Sequence, residues 1–149
     1  MKAVSPKKKL GQHFLNDLNI AQKIADLLQN QNCENILEIG PGRGVLTQFF
    51  IPKIKNLKLV EIDTESVTYL NKKYPELQKN TLNEDFLKMD LSKTFDGQNF
   101  GIIGNFPYNI SSQIVFKALE YSQHIPFFCG MFQKEVALRI CEKPGTKTY

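Results

Sequence analysis

The chain has 149 residues, of which 42% are hydrophobic and 23% charged, and its net charge is +4. That is one domain's worth, able to bury a core and ordinary for a soluble globular protein, and no apolar run nears membrane-spanning length. Three widely spaced cysteines, Cys33, Cys129 and Cys141, and two histidines, His13 and His124, offer neither a disulfide framework nor a metal-site spacing, which fits a reducing cytoplasm.

The N-terminus, MKAVSPKKKLGQ, lacks the apolar stretch of a signal peptide and crowds Lys2, Lys7, Lys8 and Lys9 together. A basic arm of this kind can track phosphates, although a solvated tail would have the same composition. From Asn16 onward Ile20, Ala21, Ile24, Ala25, Leu27 and Leu28 recur at helical spacing, with Asn16 or Asp17 as cap. NILEI (35–39) reads as a buried strand stopped by the glycines of GPGRG (40–44). A helix is expected over 45–51, a second strand over 57–62, a helix over 64–74 and a weak third strand over 80–83. NFGIIG (99–104) is the fourth strand, and SSQIVFKALEY (111–121) a helix capped by Ser111 or Ser112. IPFFCGMF (125–132) is the fifth strand, and QKEVALRI (133–140) a closing helix. Strands alternating with helices predict an α/β fold with a doubly wound, mostly parallel sheet. Ligands bind beyond the carboxyl ends of such strands, so the loops that follow them should converge.

Four loops are candidates. GPGRG lets the backbone turn tightly beside a ligand through Gly40 and Gly42, as would any tight turn. Its third glycine is not where the dinucleotide fingerprint requires it, because that place holds Val45, which disfavours pyrophosphate. Glu61, about 20 residues beyond the glycine loop, can accept both hydroxyls of a ribose. Strand alternation aims Asp63 the same way, but Glu61 sits closer to the strand end. In EDF (84–86), Asp85 can accept a hydrogen bond from an exocyclic amine, with Ile62 and Phe86 flanking a flat base; capping a turn is its plainer use. Last comes NFPYNISS (105–112). Asn105 and a backbone carbonyl near Pro107 can both accept from one amino group while Tyr108 stacks on the ring that bears it. Such an amine is a poor nucleophile because its lone pair is delocalised into the ring. Two acceptors that hold its protons out of plane localise that pair toward an electrophile.

In order, LGQHFL (10–15), LEIGPGRGVLT (37–47), VEID (60–63), EDFL (84–87), GNFPYNISS (104–112) and QKEVALRI (133–140) resemble the successive motifs of the rRNA adenine N6,N6-dimethyltransferases. The resemblance runs from about residue 7 to residue 149. It implies a Rossmann-like class I fold that uses S-adenosylmethionine. It places His13 and Leu15 on an N-terminal arm against that cofactor, with Gly40 and Gly42 at its methionine moiety. Glu61 then takes the ribose, Asp85 the adenine amine, with Ile62 and Phe86 beside them, and Asn105, Pro107 and Tyr108 form the catalytic clamp on the target base. Phe106 stands where relatives often have leucine.

QKEVALRI resembles the branch that dimethylates two adjacent adenines near the 3′ end of 16S small-subunit rRNA, rather than the branch that modifies large-subunit rRNA in antibiotic resistance. The partner implied is the immature small ribosomal subunit, with Lys7, Lys8 and Lys9 on its RNA, no metal and no membrane, and the enzyme a cytoplasmic monomer. A non-catalytic assembly factor that keeps the fold is the alternative from another class, and methylation of DNA or of a glutamine side chain a third. The expected organisation is a basic arm over 1–15 and a cofactor-binding core over 16–149, an N-terminal portion that relatives extend by further strands and a helical domain.

Overall fold

A computed structural model describes residues 17–28, 31 and 33–144. Five strands, β1 (Asn35–Ile39), β2 (Asn56–Val60), β3 (Thr81–Leu82), β4 (Gly101–Asn105) and β5 (Phe127–Met131), form one sheet in the order β3-β2-β1-β4-β5. All neighbours are parallel, with Ile36 paired to Leu57 on one side and to Gly101 on the other. The helices are α1 (Leu18–Leu27), α2 (Thr47–Phe50), α3 (Thr64–Lys73), α4 (Ser111–Glu120) and α5 (Lys134–Ile140). The chain winds outward from β1 to β3 and then returns to place β4 against β1. The point where its direction reverses therefore lies between the loops after β1 and β4, the site at which such sheets bind ligands.

Both faces of the sheet are covered, which is why β1 and β4 carry almost unbroken apolar residues. Ile36, Leu57, Leu59 and Ile103 face a core with Ala21, Ala25, Leu46, Phe50 and Leu70. Leu37, Ile39, Val60 and Ile102 face the other, with Phe86, Phe95, Phe100 and Ile114. The change of face between Ile36 and Leu37 is the two-residue period of a strand.

Several boundaries move relative to the sequence reading. The helix expected from Val45 begins only at Thr47, because Gly40, Gly42 and Gly44 hold left-handed φ values of 66°, 57° and 82° and the chain turns until Leu46. Strand β2 ends at Val60, which leaves Glu61, Ile62 and Asp63 beyond it. Strand β4 reaches Asn105, one residue further than expected. Asp17 caps α1 by accepting the N–H groups of Asn19 and Ile20 at 2.9 and 3.3 Å. Neither serine caps α4; that position is Ile110, and the Ser111 hydroxyl donates back to the Tyr108 carbonyl at 3.3 Å. Short 3-10 turns at Pro75–Asn80, Phe86–Lys88 and Leu91–Lys93 have no counterpart in the sequence reading. No helix among the described residues is long and apolar enough to cross a membrane.

Candidate active site

The glycine turn after β1 and the loop after β4 meet. A methyl group built on Gly40 would stand 3.5 Å from the Asn105 carbonyl oxygen and 3.7 Å from Cδ of Pro107. A side chain there would fill the gap between the loops, and its φ of 66° independently favours glycine. Beneath this junction Phe106 is 5% exposed, its ring centroid 5.3 Å from that of Phe128 and 5.1 Å from that of Phe132. Gly130 on β5 admits the ring, since a methyl at that position would fall on Phe106. Phe106, between Asn105 and Pro107, is thus the anchor that holds the loop down. Pro107 is half-buried and Tyr108 exposed at the surface above it.

Glu61 closes the glycine turn from the β2 side. Its Oε2 accepts the Gly42 N–H at 3.1 Å and its Oε1 the Asp63 N–H at 3.1 Å, with the side chain 5% exposed. Burial pushes this carboxyl above its usual range and the Asp63 charge adds to that, while the backbone N–H groups of Asp63, Gly42 and Ile62 oppose it. Asp63 has other work: its Oδ2 accepts the Ser66 N–H at 3.3 Å and the Ser66 hydroxyl at 2.8 Å, capping α3.

Asp85 lies beyond β3 and caps the following turn, its Oδ1 accepting the Leu87 N–H at 3.0 Å. Ile62 is 47% exposed, an apolar side chain open to a ligand. The ring of Phe86 departs from expectation. It is 4% exposed and packed in the core with Leu91, Ile102 and Ile114 rather than lying against an open base site. Burying a phenyl ring is worth about 1.5–3 kcal/mol, enough to turn it inward where a pocket exists. His13, Leu15, Lys7, Lys8 and Lys9 lie outside the described residues. Among the described residues no group of three His, Cys, Asp or Glu could hold a metal ion.

Two buried polar side chains belong to this neighbourhood but were not singled out from the sequence. Lys117 of α4 is one. The other is Glu38, the one charged residue within NILEI, 1% exposed and accepting the Thr47 hydroxyl at 2.7 Å. Burial pushes its carboxyl up to about 8, the Thr47 bond opposing and the Glu61 charge assisting. Between an ordinary 4.5 and about 8 the folded chain keeps a proton that the unfolded chain has released. Stability should therefore fall as pH rises through that window and level off above it. Glu38→Gln removes this penalty, so its advantage over the parent in urea melts should grow from about pH 5 to about pH 8. A pH-independent difference would show that the carboxyl ionises normally.

The ribosomal RNA adenine dimethylase family model matches residues 3–149. The chain belongs to this family. Among its relatives, the ribosomal RNA small subunit methyltransferase A of Flavobacterium johnsoniae is 56% identical over all 149 residues, and that of Parabacteroides distasonis 58%. The chain spans 57% and 56% of their lengths. A dimethyladenosine transferase from Plasmodium falciparum superposes with a TM-score of 0.70 at 30% identity, over 92% of this chain and 49% of that one. The 23S rRNA methyltransferase ErmE superposes at 0.68 with 28% identity, over 84% of this chain and 50% of its own. Together with an S-adenosylmethionine-dependent methyltransferase from Clostridium acetobutylicum at 0.57, these structures identify the fold of the family member as the class I methyltransferase fold.

Proposed function

We propose that this chain is the cofactor-binding and catalytic part of an enzyme that dimethylates N6 of two adjacent adenines near the 3′ end of 16S small-subunit rRNA in the immature subunit. The observation that carries the reading is the close approach of the Gly40 turn to the Asn105–Pro107 loop, where a Cβ on Gly40 would reach van der Waals contact with both Asn105 and Pro107. The residues present fit S-adenosylmethionine. Glu61 would offer its buried carboxylate, already bonded to the glycine turn, to a ribose diol, the glycine turn would admit the methionine moiety, and Asp85 and the exposed Ile62 would take the base. His13 and Leu15 on the N-terminal arm would complete that pocket. When bound, the cofactor supplies an electrophilic methyl group.

The chain's own residues prepare the acceptor. The side-chain oxygen of Asn105 and one backbone carbonyl take the two amine protons. That backbone carbonyl lies near Pro107, in the turn that the Ile110 N–H closes by donating to the Pro107 carbonyl at 3.2 Å. Tyr108, exposed on the rim, stacks on the extruded base, a contact worth about 1–3 kcal/mol. No general base is required at the start, since the alkylated nitrogen becomes acidic and loses its proton to water. Lys7, Lys8 and Lys9 add phosphate contacts from the arm. The enzyme works as a cytoplasmic monomer without a metal.

Small-subunit rather than large-subunit rRNA is favoured by identities of 56–58% to the small-subunit enzymes against 28% to the 23S enzyme. The test offers the whole protein under-methylated small subunits and, separately, large-subunit RNA. Dimethyladenosine in digests of the small-subunit RNA alone is expected. Methylation confined to the large-subunit RNA would replace this reading with the resistance-type activity, and none on either would leave an assembly factor.

A further inference from the structure

Helix α4 buries Ser111, Ile114, Lys117 and Ala118, so a lysine occupies the core-facing stripe of an otherwise apolar helix. A methionine would fill that place without the desolvation that holds this amine below its ordinary pKa, against the pull of Asp85, Glu120 and Asp90. What the ammonium does there is visible in its contacts. Nζ donates to the Phe86 carbonyl at 2.5 Å and to the Met89 carbonyl at 2.6 Å, and stands 5.2 Å from the centroid of the Phe86 ring. Both carbonyls belong to the turn that Asp85 opens, where Asp85 Oδ1 holds the Leu87 N–H and the Asp85 carbonyl the Lys88 N–H.

The sheet itself gives this turn little hold. Strand β3, which precedes it, has two residues and pairs with β2 alone. Lys117 supplies the tie from the opposite side. It also joins two parts of the site, because α4 begins directly after the NFPY loop. We propose that Lys117 is a positioning residue that fixes the Asp85 turn against α4 and thereby sets selectivity for a 6-amino purine in the cofactor. This rests on the reading of Asp85 as the acceptor for that amine.

The experiment compares S-adenosylhomocysteine with its 6-oxo analogue, S-inosylhomocysteine, by calorimetry on the parent, Lys117→Met and Lys117→Gln. The parent should prefer the amino compound by about 10-fold or more, as expected for a hydrogen bond to a charged group. Lys117→Met should bring the two ligands within about 3-fold of each other, the worth of a weak contact. Lys117→Gln, which still donates to one carbonyl, should lie between. Amide exchange at Leu87 and Met89 should quicken in the Met variant while Ile36 and Leu37 of β1 keep their protection, a local change that general destabilisation would not produce. A selectivity undiminished in Lys117→Met, or in Lys117→Gln should the Met variant fail to fold, overturns the inference and leaves Asp85 in place. A parent that binds both compounds equally removes Asp85 as the purine reader and the lysine's role with it.

Discussion

Replacing Asn105 with alanine in the whole protein should lower methyl transfer by about 100-fold or more, the usual loss when a preorganised polar partner of the reacting group is removed. The proposed role is confined to the reacting amine: Asn105 accepts a proton that must leave the plane of the base, so the bond strengthens as the nitrogen rehybridises. RNA affinity depends instead on phosphate contacts and base stacking and should change little. Asn105 is half-buried at the end of β4, and the loop stays anchored by Phe106, whose N–H donates to the Met131 carbonyl at 3.3 Å. Mass spectrometry of digested small-subunit rRNA, beside filter binding of the same RNA, separates the two quantities. Near-parental dimethyladenosine from Asn105→Ala would end the clamp mechanism.

The sheet was legible in the sequence because its signals are local. NILEI and GIIG are short apolar runs bounded by glycine or asparagine, and the glycines of GPGRG do adopt left-handed φ. Part of the expected convergence is present: the Gly40 turn approaches Pro107 and its Gly42 N–H reaches Glu61. What escaped depends on tertiary partners. The sequence reading extended the second strand to Ile62, but β2 ends at Val60 and leaves Glu61 and Asp63 beyond the ladder, where strand alternation does not apply. The inward ring of Phe86 depends on a pocket built by Leu91, Ile102 and Ile114, which the sequence scatters. Lys117 carried a signal that was passed over: a lysine three residues after Ile114 and beside Ala118 lies on the apolar face. Glu38 carried a similar one, a carboxylate within a run of apolar strand residues. In both cases the residue that breaks the pattern is buried with polar partners, the Thr47 hydroxyl for Glu38 and the Phe86 and Met89 carbonyls for Lys117.

Glu61→Ala should weaken binding of S-adenosylmethionine by about 1.5–3 kcal/mol, the range for hydrogen bonds to a charged group. Part of that loss would be indirect, because the carboxylate also receives the Gly42 and Asp63 N–H groups that shape the turn. Glu61→Gln separates the contributions, since its amide carbonyl can still accept one of those donors while the charge is gone. The pH dependence gives a second reading. Burial raises the pKa of Glu61, and the ribose hydroxyls need the ionised form as their acceptor. Ligand affinity in the parent should therefore decline as pH falls toward that raised pKa, a decline reaching above the usual carboxylate range. In Glu61→Gln the corresponding profile should be flat, with affinity low throughout. Calorimetric titration of parent and both variants across that range, with circular dichroism to verify folding, decides the matter. A folded Glu61→Ala protein with parental affinity would move the ribose site elsewhere, and a Gln variant that kept the parent's pH profile would assign the titration to another group, of which the buried Glu38 beside it is the first candidate.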